Sequence, residues 1–337
     1  MANLPGLPSI EEKVDFLSRA STYPDCREEV TVVETHMSWV FIAGERVYKL
    51  KKPMIRDLID FSTPDARYLN CREEVRLNRR LGGDTYLGLE QLSVAAEGEL
   101  KLGRNGVAVD WLVVMKRLPE SAMLESQIKA GRVDYDALER AAEFLSAFYV
   151  RTDAVMLTAG QYGERLASNI RSNRESLAAY RLPEGQLDLI AGRQLDLVDR
   201  RPALFGERAR AGRVVEAHGD LRPEHVCLTD PPVIIDCLEF SRDLRIQDRL
   251  DELAFLAMEC ERLGNDRVGE IVLATYADFT GDKPPLSLVA FYKSYRACVR
   301  AKLCVWHLDD DPEEQRGPWQ KKAETYLAMA ERYTEMF

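Results

Sequence analysis

Asp220 and Asp236 are the residues from which chemistry can start. The run His218-Gly219-Asp220-Leu221-Arg222-Pro223-Glu224-His225-Val226 sets an acid on a loop just ahead of a short apolar stretch. Asp236 then closes a second apolar stretch, Val233-Ile234-Ile235. Val226-Cys227-Leu228 and Val233-Ile234-Ile235, joined by Thr229-Asp230-Pro231-Pro232, read as a β-hairpin, because short apolar runs flank a turn-forming cluster. A carboxylate before the first strand and another after the second would share one edge, with His225 projecting from it. That arrangement suits phosphoryl transfer, in which one carboxylate accepts or orients the nucleophile's proton and the other holds a metal on the phosphates. His218 reads more simply, as a residue bracing the loop.

Two regions must position these groups. Ahead of them lies a β-rich stretch: Val30 to Glu34, a polar turn at Thr35-His36-Met37-Ser38, Trp39 to Ile42, a turn at Ala43-Gly44-Glu45, and Arg46 to Lys51. Ser9 caps a short helix over 8–20. A stronger helix is predicted over 64–81, with Ala66, Leu69, Val75, Leu77 and Leu81 on its apolar stripe and Gly82-Gly83 at its end. Leu92 to Ala95 and Leu100 to Leu102 form a hairpin around Glu97-Gly98, and Val107 to Met115 is a buried strand ending near Leu118-Pro119. Beyond that point the chain reads as helices over 134–150, 161–180, 184–198, 248–263, 266–279, 286–308 and 318–335. The expected fold class is therefore α+β. Residues 1–118 form a lobe with a small antiparallel sheet and a helix, and 119–337 form a mainly helical lobe carrying the catalytic loop.

The His-Gly-Asp-Leu-Arg-Pro-Glu-His-Val motif followed by Val-Ile-Ile-Asp resembles the catalytic and metal-binding loops of the aminoglycoside phosphotransferase family. That family belongs to the protein-kinase-like superfamily, and its usual pattern is H-G-D-L-H-x-x-N followed by two hydrophobic residues and an aspartate. The resemblance implies a bilobal kinase-like fold, Asp220 as catalytic base and Asp236 as metal ligand, with ATP and magnesium as cofactors. Asp248-Arg249-Leu250-Asp251-Glu252-Leu253-Ala254 is similar to the D-x-x-x-D-L-A segment opening the family's following helix, which gives Glu252 a bracing role on the loop. The chain departs from the pattern twice. Arg222 stands where the family has histidine, and His225 stands where asparagine presents an amide oxygen to metal. Imidazole offers nitrogen, and magnesium prefers oxygen, so manganese is the alternative ion if His225 ligates.

Such a site also needs a strand lysine paired with a helix glutamate to grip the nucleotide phosphates. Val47-Tyr48-Lys49-Leu50-Lys51 puts two lysines on one face, because side chains alternate with period two. Lys49 fits the family register, with Lys51 in reserve. In the helix, Glu74 is the candidate partner and Glu73 its alternate. The resemblance further implies that the Thr35–Ser38 turn covers the phosphates, with Ser38 supplying a hydroxyl, and that Val113–Leu118 is the hinge reading adenine, with Met115 and Arg117 in it. No G-x-G-x-x-G is present, which points to the small-molecule branch rather than to protein kinases.

A net charge of −10 argues against general binding to nucleic acid, since the basic clusters Arg72 to Arg80 and Arg200 to Arg213 are interspersed with acids. No apolar run is long enough to cross a membrane, and the N-terminus lacks a secretory layout, so a cytoplasmic protein is expected. The seven scattered cysteines, with no C-x-x-C, read as reduced and mostly buried thiols. The partner is a small-molecule hydroxyl acceptor whose identity the sequence leaves open. Residues 161–213 form an extra helical segment of the kind that shapes acceptor pockets. Asp309-Asp310-Asp311-Pro312-Glu313-Glu314 reads as a solvated loop, with attraction of a cationic acceptor as the alternative. Two other functions remain open: a catalytically weak or inactive nucleotide-binding pseudokinase, and a metal-dependent hydrolase built on His218, Asp220, His225 and Asp236.

Overall fold

The computed structural model describes residues 8–56, 59–310 and 313–337. Asp311 and Pro312 of the acidic run lie outside the described residues, as do the side chains of Asp310, Glu313 and Glu314. Contacts divide the chain into two compact units, one running to Met123 and including Val233–Arg242, the other comprising Leu124–Pro232 and Asp243–Phe337. The fold class is α+β, as the alternation and helical periodicities predict.

The first unit begins with helix α1 (Ile10–Leu17), started by a capping box between Ser9 and Glu12. Strands β1 (Thr31–Glu34), β2 (Ser38–Ala43) and β3 (Arg46–Lys51) follow, then helix α2 (Pro64–Gly82) and strands β4 (Tyr86–Val94), β5 (Leu100–Leu102) and β6 (Val107–Lys116). These six strands form one antiparallel sheet in the order β1-β2-β3-β6-β4-β5. Period-two alternation sorts the sheet's side chains. Tyr48, Leu50, Leu112 and Val114 join Leu17 and Tyr23 in one core, whereas Val113 and Met115 pack with Cys71 and Val75 of α2 in the other.

Helix α2 is capped by Thr63, whose side chain accepts from the Ala66 N–H, and Pro64 follows at the first helical position. Of the apolar stripe its sequence suggests, Val75, Leu77 and Leu81 are buried and Leu69 is exposed, and the buried face also takes in Arg67, Cys71, Glu74 and Asn78. Each polar member has a partner in the unit. Arg67 makes a bidentate pair with the fully buried Asp110 at 2.8 and 2.7 Å, and Lys13 of α1 holds the same carboxylate at 2.8 Å. Asn78 Oδ1 accepts from the Cys237 N–H at 2.8 Å. Buried charge this well paired fixes the orientation of the helix as well as its depth.

The second unit is mainly helical: α3 (Leu124–Lys129), α4 (Tyr135–Arg151), α5 (Ala159–Ala178), α6 (Glu184–Arg200), α7 (Pro202–Arg210), α8 (Arg249–Arg262), α9 (Asp266–Thr280), α10 (Leu286–Asp310) and α11 (Glu313–Thr334). A two-stranded antiparallel ribbon, β7 (Val214–Glu216) with β8 (Ile246–Asp248), interrupts them. Helix α8 is buried nearly all round and is capped by Asp248, whose carboxylate accepts from the Leu250 N–H at 2.9 Å. The same carboxylate takes a bidentate bond from Arg208 of α7, 2.7 Å for each contact. So α7, absent from the sequence-based list of helices, ties the ribbon to the helical core. No helix among the described residues is long and apolar enough to cross a membrane. All seven cysteines are free, and six of them are buried.

Candidate functional site

In the first unit, β3 and α2 put cations and carboxylates face to face. Lys49 Nζ lies 3.1 Å from Glu74 and 2.7 Å from Asp236 Oδ1. Lys51 Nζ lies 2.5 Å from the other Glu74 oxygen and 2.5 Å from Glu239. The two lysines therefore share one helix glutamate, and each has a second carboxylate of its own from the Val233–Arg242 segment. Exposure separates them. The Lys49 side chain is 17% exposed, whereas those of Lys51 and Glu74 are each 1% exposed. Lys49 can meet a ligand; Lys51 serves as an internal strut.

Electrostatics agree with this division. Burial works against the Lys49 ammonium, but Asp236, Glu74 and Glu239 outweigh it and hold its pKa well above the ordinary lysine value. Burial likewise pushes the Glu74 carboxyl up, yet Lys49 and Lys51 prevail and hold it below the usual carboxylate range. Asp236 has a left-handed backbone, φ 62°, which aspartate tolerates better than most side chains. Its N–H donates to the Tyr86 hydroxyl at 3.1 Å, which fixes the turn. Its side chain is 43% exposed.

In the second unit, the loop after β7 is held from beneath. Glu252 of α8 accepts from the backbone N–H groups of His218 at 3.1 Å and Gly219 at 2.6 Å, and from the Tyr149 hydroxyl and the Gln247 amide, both at 2.6 Å. This is the brace the D-x-x-x-D-L-A likeness implies. Gly219 has φ 94°, a conformation open chiefly to glycine, and it turns the chain into Asp220. Arg222 forms an ion pair with Asp220 at 3.0 Å and a second, short one with Glu224. Burial pushes Asp220 up, but Arg222, His225 and Arg300 outweigh it, so its carboxyl stays below the ordinary aspartate value.

His225 is buried, and its Nδ1 lies 2.8 Å from the Asp220 carbonyl. A carbonyl only accepts, so Nδ1 carries the proton and Nε2 the lone pair, 3.3 Å from Arg222 Nη2. The nitrogen able to hold a metal thus faces a guanidinium. Among the described residues no group of three or more His, Cys, Asp or Glu is arranged to hold a metal ion. Asp236 offers oxygen, the donor magnesium prefers, and magnesium commonly takes only one or two protein carboxylates alongside substrate phosphates.

The other candidate residues fall as follows. Ser38 opens β2 instead of sitting in the turn, opposite Lys51 in register, and its fully buried hydroxyl has no hydrogen-bond partner among the described residues. Met115 is buried in β6. The Arg117 N–H donates to the Glu45 carbonyl at 2.9 Å and is thereby committed within the unit. Glu73 pairs with Arg76 at 2.6 Å on the solvent side of α2. Nothing local in the sequence marks Glu239; only the buried Lys51 does.

The fold is the protein-kinase-like fold, in the form shared with small-molecule kinases. A choline/ethanolamine kinase family protein from Mesorhizobium loti has a TM-score of 0.53 and 16% identity, covering 96% of this chain and 99% of that one. LicA, solved with AMP, has a TM-score of 0.50 and 19% identity, covering 96% and 100%. A glucosamine kinase solved with glucosamine, ADP and inorganic phosphate has a TM-score of 0.50 and 11% identity, covering 97% and 86%. By sequence, the chain is 37% identical over 292 residues to uncharacterized proteins of Mycobacterium tuberculosis and Mycobacterium bovis. The match takes in 84% of this chain and 56% of each relative, so the chain spans about half the length of the curated relatives it matches. No family model matches the chain.

Proposed function

We propose that this protein is an ATP-dependent phosphotransferase acting on a hydroxyl of a small molecule. The observation that carries the reading is the Lys49–Glu74 pair at 3.1 Å, with Asp236 on the same ammonium at 2.7 Å. In this reading Lys49 grips the nucleotide phosphates and Glu74 orients it, while Lys51 and Glu239 keep Glu74 and the Asp236 segment in place. Asp236 would hold the magnesium ion, which when bound neutralises charge on the transferring phosphate. Asp220, kept anionic by its neighbours, accepts or orients the acceptor's proton. Met115 and the chain through Arg117 line the adenine side. The committed Arg117 N–H leaves base recognition to other backbone groups. Structures that share the fold, LicA solved with AMP and a glucosamine kinase solved with ADP, support a nucleotide ligand.

A second reading, a pseudokinase that binds nucleotide without transferring phosphate, is favoured by the Arg222–Asp220 pair and by His225, whose ring nitrogens both have protein partners. ADP release, followed across a panel of hydroxylated acceptors alongside direct ATP binding, separates the two. Acceptor-dependent ADP formation supports the transferase, and binding without turnover over the whole panel supports the pseudokinase.

A further inference from the structure

In the second unit, two guanidinium groups gather on one buried carboxylate. Glu259 of α8 is almost wholly buried and accepts from the Tyr326 hydroxyl at 2.7 Å. Arg300 of α10 and Arg262 at the end of α8 meet the same carboxylate at 3.1 and 2.8 Å. Both guanidinium groups also lie over the Tyr326 ring, 5.7 and 5.5 Å from its centre. Each guanidinium bonds the protein through Nε alone, and their terminal Nη groups have no hydrogen-bond partner among the described residues. Those groups form the planar fork that recognises carboxylate and phosphate.

A third cation completes the cluster. Lys322 of α11 lies over the Trp319 ring, its ammonium 5.4 Å from the ring centre, and has no carboxylate within ion-pair reach among the described residues. Burial, then Arg300 and Arg262, pull its pKa below the ordinary lysine value. The two guanidinium groups share Glu259 as their one carboxylate within ion-pair reach among the described residues, with Asp220 acting on Arg300 and Glu224 on Arg262 from further off, in a chain whose net charge is −10. Lys322 adds a like charge beside these two guanidinium groups, and crowding like charges in a half-buried site is costly unless something anionic relieves it. The cluster also reaches the reacting residue: Arg300 is one of the cations holding the Asp220 carboxyl down, and Arg222 and Arg300 repel each other.

We propose that Arg262, Arg300 and Lys322 form an anion-binding subsite, and that the hydroxyl acceptor carries a phosphate or carboxylate group which docks there. The acceptor assignment rests on Asp220 as the base; the subsite itself does not. The guanidinium forks bind the acceptor's oxyanion, Lys322 adds a point charge, and the acceptor's hydroxyl is left for Asp220.

The test is calorimetric titration of glycerol 3-phosphate, glycerate and ethanolamine into the wild-type chain and into Arg262→Gln and Lys322→Gln, with thermal melts confirming that each variant is folded. ATP with magnesium is titrated in parallel. Expected is binding of at least one of the two hydroxylated acids, in preference to ethanolamine, and a loss of about tenfold or more in each variant, the scale of a charge-assisted hydrogen bond. ATP affinity stays unchanged. Which acid binds tells phosphate from carboxylate. Preference for ethanolamine, binding of neither acid, or variants that bind the acids as the wild type does would each overturn the proposal. Acid binding without any ATP binding would leave the subsite standing and remove the phosphotransferase reading instead.

Discussion

The ammonium of Lys49 lies 2.7 Å from the carboxylate of Asp236, joining a β-strand to a segment far downstream in sequence but within the same unit. A lysine already neutralised in this way can exchange one anion for another as phosphate enters. Lys51, fully enclosed between Glu74 and Glu239, cannot. Lys49→Met should therefore weaken ATP binding by about tenfold or more, the worth of a charge-assisted contact, with the melting temperature little changed. Lys51→Met should instead destabilise the fold by about 3–5 kcal/mol, because it strands buried carboxylates. Calorimetry and denaturant melts on both variants check this. A larger ATP defect in a well-folded Lys51→Met would shift the phosphate-gripping role to Lys51.

Glu74 gives a pH signature. Its folded carboxyl is held down by Lys49 and Lys51, so the stability it contributes is fully present above the ordinary glutamate pKa of about 4.3 and is lost as pH falls through the lower folded value. Wild type should be clearly more stable than Glu74→Gln at pH 7, and the gap should narrow as pH falls below about 4. Urea melts at intervals from neutral to acid pH measure it. A gap constant across that range would mean the charge of Glu74 is not what stabilises the unit.

Asp220→Asn should leave ATP binding largely intact while cutting acceptor-dependent phosphoryl transfer by about 10² or more, the scale of a positioned general base. Binding titrations and ADP release on one preparation decide it. Equal loss of binding and turnover would mark Asp220 as a support for the loop.

His225 presents nitrogen where an amide oxygen would suit magnesium. If its Nε2 turns from Arg222 to a bound cation, manganese should support activity at least as well as magnesium, and His225→Asn should shift the preference toward magnesium. Titrating both ions against both proteins measures this. Identical preferences would restrict His225 to its bond with the Asp220 carbonyl.

Much of this architecture can be read from the sequence where local pattern and tertiary role coincide. The alternation in Arg46–Lys51 and the apolar run Val107–Met115 predict strands, and the Gly98 turn predicts the hairpin in which Leu92 pairs with Leu102. Strand β4 begins at Tyr86, well before the Leu92 its sequence suggests, because a register shift around Gly88 breaks the alternation. The apolar stripe of helix α2 is legible at Val75, Leu77 and Leu81, but the rest of its buried face is built from Arg67, Glu74 and Asn78, whose partners come from elsewhere in the chain. Glu239 and Glu259 carry no sequence signal for the same reason: a buried carboxylate is defined by the cations around it, and Lys51 and Arg300 are distant in sequence. Asp220, Asp236 and Lys49 stand out because their neighbours in sequence form a recognisable motif.

Magnesium-dependent nucleotide binding through Asp236 is what a phosphotransferase of this kind requires first. ATP titrated into the wild-type chain with magnesium should bind, and the affinity should fall by about tenfold or more when magnesium is chelated or when Asp236 is replaced by Asn, since both remove the same ion from the phosphates. An affinity unaffected by chelation and by Asp236→Asn, or no ATP binding at all, would contradict it.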